Sequence, residues 1–139
     1  MKRYLLDTSL IAAFLHGRPT ALTLIEPFVR NGQATTSILV YGEVIEYLKG
    51  LPTFTTYKMR LQRLFELNQI TSYPLTYPIL ERYADIRRTL RPLNKLIGDI
   101  DTLIAATALD HDLTLLTIDT NYDRVPHLKW QLVNLKKAA

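Results

Sequence analysis

Five acidic residues stand where short apolar runs end or where helical spacing begins: Asp7 in LLDTS, Glu43 in TSILVYGE, Asp99 and Asp101 in GDIDTLIAATA, and Asp119 in LLTIDTNYD. Acids so far apart in the chain can converge only if the fold gathers strand ends. Like charges held a few ångströms apart then repel unless they are protonated or neutralised by cations. An oxygen-only donor set without a histidine cluster suits Mg²⁺ or Mn²⁺, hard ions that keep several waters and accept phosphate oxygens beside carboxylates. Taken singly, each acid has a plainer explanation. Asp7 or Asp101 can cap a helix or complement its dipole, and Glu43 can be a solvated helix residue. The conjunction carries the inference.

Other chemistries find little support. There is no cysteine, which removes disulfides, thiolate zinc sites and a cysteine nucleophile. His16, His111 and His127 lack the i,i+4 spacing of a histidine metal site, and His111 suits a helix end, where a cation is favoured. Neither a glycine-rich phosphate loop nor a Ser-His-Asp pattern is present.

The elements that must position these acids follow from periodicity and stop signals. Arg3 to Leu6 reads as a strand ending at Asp7, after which Thr8-Ser9 can cap a helix carrying Leu10, Ile11, Phe14 and Leu15. A helix from Thr20 to about Arg30 is expected to kink or end at Pro27, with Asn31-Gly32 as its stop. Ala34 to Ser37 gives a second strand and Ile38 to Lys49 a helix ended by Gly50, with Glu43 in its second turn. Phe54 to Leu67 is an amphipathic helix and Ile70 to Leu75 a third strand. A helix over 77 to 90 turns Ile79, Leu80, Tyr83, Ile86 and Leu90 inward and stops before Pro92. Asp101 to Asp110 is a small-residue helix, followed by a strand from Leu113 to Thr117, a turn from Asp119 to Asp123 and a last strand from Gln131 to Leu135. Strands separated by helices imply crossovers, hence an α/β fold with a mainly parallel sheet of about five strands covered on both faces. Sites in such sheets lie at the carboxyl ends of the strands, where Asp7 and Asp119 fall.

The 139 residues, 47% of them hydrophobic, make one domain over residues 1–139, large enough to bury about two-thirds of its unfolded surface. The opening Met-Lys-Arg before YLLDTSLIAAFL imitates a secretory signal, but Asp7 interrupts the apolar stretch, and no run reaches the 18 or so apolar residues of a membrane helix. A cytoplasmic protein without membrane attachment is expected. Net charge is +4; with Asp7, Glu43, Asp101 and Asp119 set aside, 17 cations face nine acids, a balance of +8. An acidic pocket in a basic surround would attract a polyanion. Arg82, Arg87, Arg88, Arg91 and Lys95 form the densest basic stretch, with Arg87, Arg88, Arg91 and Lys95 as candidate phosphate contacts, although interleaved Glu81 and Asp85 fit a solvated helix face equally well.

In its motifs the chain resembles the PIN-domain endoribonucleases, and among them the VapC toxins of prokaryotic toxin-antitoxin pairs. YLLDTS, the TS ahead of helical Glu43, DIDTLIAATAL and LLTIDTNYDRVPHL occur in order, spanning nearly the whole chain. The resemblance implies that Asp7, Glu43, Asp101 and Asp119 are the catalytic quartet, with Asp7, Asp101 and Asp119 as ligands of Mg²⁺ or Mn²⁺ and Asp99 as a further ligand or a support. Thr117 matches an accompanying hydroxyl residue, and Ser9 either supports Asp7 or caps its helix. The implied activity is metal-dependent hydrolysis of RNA phosphodiesters by one member of a toxin-antitoxin pair. The implied partners are a small antitoxin protein and a second copy of the chain. His127 departs from the family, which often carries glycine after the Val-Pro pair. Two alternatives stand beside this one: a catalytically silent PIN scaffold that binds RNA or protein, and a receiver-like Mg²⁺-binding signalling domain.

Overall fold

The computed structural model describes residues 1–136. Five strands, β1 (Tyr4–Leu6), β2 (Ala34–Ser37), β3 (Thr71–Tyr73), β4 (Thr114–Thr117) and β5 (Trp130–Leu132), form one sheet in the order β3-β2-β1-β4-β5. Every pairing is parallel, with Leu5 opposite Thr35 on one side and Leu115 on the other. A receiver-like sheet follows the order 2-1-3-4-5, so the topology excludes that alternative.

Six α-helices connect the strands: α1 (Thr8–Leu15), α2 (Pro19–Arg30), α3 (Ile38–Lys49), α4 (Phe54–Glu66), α5 (Tyr77–Leu90) and α6 (Asp99–Asp110). They fall into two packed groups, α1 to α4 and α5 with α6. The crossovers through the first group step one way along the sheet and the crossover through the second steps back. Right-handed connections therefore put the groups on opposite faces. The core between them includes Leu5, Leu6, Leu115 and Leu116 of the central strands, Leu10 and Ile11 of α1, Val44 and Leu48 of α3, and Ile104 of α6. None of the helices among the described residues is long and apolar enough to cross a membrane.

Several boundaries differ from the sequence expectation, each for a local reason. Helix α1 begins at Thr8 and is capped by Asp7, whose carboxylate accepts from Leu10 N, so Thr8 and Ser9 lie inside the first turn. Pro27 neither ends nor replaces the last turn of α2. The helix runs on to Arg30 because Phe28, just beyond the proline, stacks on Tyr4 at 4.3 Å between ring centroids, and Asn31 N still reaches Pro27 O at 3.0 Å. Helix α6 starts two residues early, at Asp99, with Gly98 as its N-cap. Leu80 of α5 is exposed, unlike its helix neighbours Ile79 and Leu90. The third strand is shorter than Ile70 to Leu75, and the last begins at Trp130 and ends at Leu132.

Candidate active site

The carboxyl end of β1 delivers Asp7 into a crowded position. Asp7 N donates to Leu116 O at 3.3 Å, extending the β1–β4 ladder by one bond. That continuation places Thr117, the last residue of β4, beside the Asp7 side chain, and Thr117 Oγ1 donates to Asp7 Oδ2. The other oxygen, Oδ1, accepts from Leu10 N at 3.3 Å as the cap of α1. Asp7 is only 8% exposed. Burial is the main reason its carboxyl is pushed up from the ordinary 3.8 to about 6. The charges of Asp101 and Asp119 add to the rise, while the Thr117 and Leu10 bonds oppose it.

Glu43 arrives from β2. Ser37 ends that strand and starts α3 by accepting from Leu39 N at 3.1 Å, which sets Glu43 in the second turn. There its Oε1 accepts from Thr8 Oγ1, across the first turn of α1. Asp101 comes from the opposite face of the sheet, in the first turn of α6, and its Oδ1 accepts from Tyr122 Oη at 3.2 Å. Asp119 follows β4 by two residues. Its backbone N donates to Thr117 Oγ1 at 3.0 Å and its Oδ1 accepts from Asn121 N at 2.8 Å, capping a 3₁₀ turn over Thr120–Arg124.

Asp7 and Asp101 each feel the charge of two of the other acids. Burial raises the Asp101 carboxyl, with further rises from the charges of Asp119 and Glu43, against a lowering hydrogen bond from Tyr122. Tyr122 itself, buried and facing Asp101 and Asp7, has its hydroxyl driven well above the usual phenol range, which keeps it a proton donor. Asp7, Glu43 and Asp101 each receive one neutral hydroxyl, from Thr117, Thr8 and Tyr122. The three ion pairs among the described residues, Arg82–Asp110, Arg87–Asp99 and Lys129–Asp112, involve none of the four. No ion pair among the described residues therefore offsets the charge of these acids.

That donor chemistry fits a hard divalent cation: oxygens only, partly desolvated, repelling one another and, among the described residues, without an arginine or lysine paired to them. No three acidic or histidine side chains among the described residues are gathered closely enough to hold an ion by themselves. An ion here would complete its shell with water or phosphate oxygens, as Mg²⁺ ordinarily does. A cavity of about 770 Å³ opens alongside, bounded in part by Thr8, Ser9 and Ile118 but by none of the four acids.

The remaining sequence candidates are placed differently. Asp99 points to α5, where its Oδ1 accepts from Arg87 Nη1 at 2.7 Å and from Tyr83 Oη at 3.1 Å. Its side chain is 68% exposed. Ser9 borders the cavity beside Thr8. Arg88, Arg91 and Lys95 are exposed at and beyond the end of α5, whereas Arg87 is engaged by Asp99. His127 takes a φ of 66°, a left-handed conformation in which glycine is unstrained. Thr8 as the partner of Glu43 and Tyr122 as the partner of Asp101 were not identified from sequence. The only signal for Tyr122 was a large aromatic residue in an otherwise polar turn.

The family profile described as the PIN domain matches residues 4–128. No curated protein matches the chain. Among solved structures, VapBC2 of Rickettsia felis, bound to a DNA fragment from its promoter, has a TM-score of 0.80 at 21% identity, covering 93% of this chain and 97% of that one. VapBC-1 of nontypeable Haemophilus influenzae is 25% identical with a TM-score of 0.77, covering 93% and 96%. FitAcB of Neisseria gonorrhoeae is also 25% identical, with a TM-score of 0.73 and coverage of 91% and 95%. With the profile spanning most of its length and the parallel 3-2-1-4-5 sheet beneath it, the chain belongs to the PIN domain family.

Proposed function

We propose that the protein is a metal-dependent endoribonuclease and the toxin of a toxin-antitoxin pair. The observation that carries the catalytic reading is Asp7: a buried carboxylate at a strand end, held by Thr117, facing Asp101 and Asp119, and without an ion pair among the described residues. Asp7 and Asp101 would hold a Mg²⁺ or Mn²⁺ ion, with Asp119 and Glu43 at its margin. Such an ion supplies a Lewis acid for phosphate oxygens and eases deprotonation of water.

The chain's own residues do the rest. Thr117 and Leu10 N fix both oxygens of Asp7, so the carboxylate is oriented before substrate arrives. Thr8 occupies Oε1 of Glu43 and leaves Oε2 able to take a proton from an attacking water. Hydrolysis forms one P–O bond from water and breaks the bond to the leaving ribose oxygen, which takes up a proton. The basic balance outside the quartet favours a polyanion at this mouth. Asp7→Asn should stay folded and lose Mn²⁺-dependent cleavage of RNA; undiminished cleavage by the purified variant would sink the assignment.

An antitoxin partner and a homodimer are proposed on the likeness to structures of VapBC, a toxin-antitoxin system by description, and on exposed apolar residues such as Tyr47 of α3 and Met59 of α4. Co-expression with the product of the neighbouring gene, followed by co-purification and light scattering, tests both.

A further inference from the structure

Asp101 sits in a contested position. Its helix, α6, has Gly98 as its N-cap, which offers no side chain to satisfy the free N–H groups of the first turn. An acid three residues past the N-cap is well placed to turn back and cap those groups itself. The carboxylate does lie over the glycine, with Oδ2 3.6 Å from where a Cβ on Gly98 would stand. The other oxygen, Oδ1, is held from outside the helix by the hydroxyl of Tyr122. The Tyr122 ring is 2% exposed and packed in the core, and Asp101 is the hydrogen-bond partner of its hydroxyl. The same 3₁₀ turn is capped by Asp119.

We infer that Tyr122 is a positioning residue: its hydroxyl holds Asp101 toward the shared pocket against capping of α6, and ties that acid to the turn that carries Asp119. The inference rests on the reading of the four acids as a metal-dependent nuclease site. Tyr122 touches neither substrate nor ion. It acts through Asp101, so its loss should weaken ion binding and turnover while leaving RNA affinity in place.

Tyr122→Phe keeps the buried ring and removes only the hydroxyl. Mn²⁺ binding to the purified protein, followed by titration calorimetry without RNA, should weaken by about tenfold or more, the usual consequence of losing a residue that orients a ligand. On a labelled RNA, kcat should fall with KM little changed. In an Asp101→Asn background the same substitution should add nothing. If Tyr122→Phe binds Mn²⁺ and turns over like the parent while Asp101→Asn loses both, Tyr122 is a core ring only and the inference falls, with the nuclease reading intact. If Asp101→Asn also binds Mn²⁺ and cleaves normally, both fall. As a check that needs no loss of the hydroxyl, 3-fluorotyrosine at position 122 should shift its ¹⁹F resonance on addition of Mg²⁺, and not in the Asp101→Asn background. An unmoved resonance in the parent would overturn the inference.

Discussion

The hydroxyl of Thr117 bridges two acids: it donates to Asp7 Oδ2 and accepts from the backbone N of Asp119 at 3.0 Å. One side chain thus orients the carboxylate at the end of β1 and the chain that delivers the next acid. Because its hydrogen is committed to Asp7, it favours the charged form of a group that burial otherwise drives toward protonation.

Thr117→Val keeps the shape of the strand end and removes the donor. The Asp7 carboxyl should then rise beyond about 6, so a larger fraction is protonated at neutral pH. Cleavage at pH 7 should fall by roughly 10- to 100-fold, and the acidic limb of the rate profile should move to higher pH. Thr117→Ser retains the donor and should keep the limb in place. Rate profiles of the two variants check this, and coincident limbs for Val and parent would refute it.

A second prediction concerns stability. The folded-state value of Asp7 lies above its ordinary 3.8, at about 6, so the folded protein binds the proton more tightly than the unfolded chain. Asp7 therefore favours folding most below pH 4, and that contribution is lost as pH rises through about 6. Above that range the ionised group costs on the order of 3 kcal/mol without a bound cation. Asparagine still caps α1 and carries no charge. Asp7→Asn should accordingly melt higher than the parent at pH 8 in chelator, with the gap closing toward pH 4. Mn²⁺ should raise the parent's melting temperature and leave the variant's unchanged. A variant less stable at every pH would show that the charge is not what strains the site.

What was legible in the sequence was whatever is encoded by neighbours. Ser37 ends β2 and caps α3, so the junction at 37 and 38 and the span of α3 could be read directly, and with them the place of Glu43. The start of α6 could not. Gly98 caps it without a side-chain bond, so no capping side chain marks the start at Asp99, and the two acids of the first turn do not say which of them opens the helix. Pro27 read as a break because the Phe28–Tyr4 stack that holds the helix together joins residues far apart in sequence. The hydroxyl partners failed to show for the same reason: Thr8 and Glu43 are 35 residues apart, Tyr122 and Asp101 are 21. Acids at strand ends announce themselves, whereas the side chains that aim them are chosen by the fold.

Asp99 separates from Asp101 in a third prediction. Two residues apart in one helix, they face different partners: Tyr122 for Asp101, Arg87 and Tyr83 for Asp99. An exposed pair such as Arg87–Asp99 contributes up to about 1 kcal/mol, which the fold can lose. Asp99→Asn should keep cleavage within about tenfold of the parent, while Asp101→Asn should lose it by at least about a hundredfold. Equal losses in both, at matched melting temperatures, would restore Asp99 to the ligand set.

The basic end of α5 yields the last prediction. Arg87 is already occupied by Asp99, so of the four cations singled out by sequence, Arg88, Arg91 and Lys95 remain for phosphates. Contacts of that kind act through counterion release. Each lost contact flattens the dependence of log affinity on log salt by about 0.7 for a single strand and weakens binding without regard to sequence. The triple variant Arg88→Ala, Arg91→Ala, Lys95→Ala should therefore bind unrelated RNA oligomers more weakly by a similar factor, with a slope shallower by about 2. Its kcat at saturating RNA should hold, since none of the three hydrogen-bonds to the four acids. Filter binding across a salt series measures the slope. An unchanged slope would mean that these cations only solvate their helix face and that RNA approaches the carboxylates from another side.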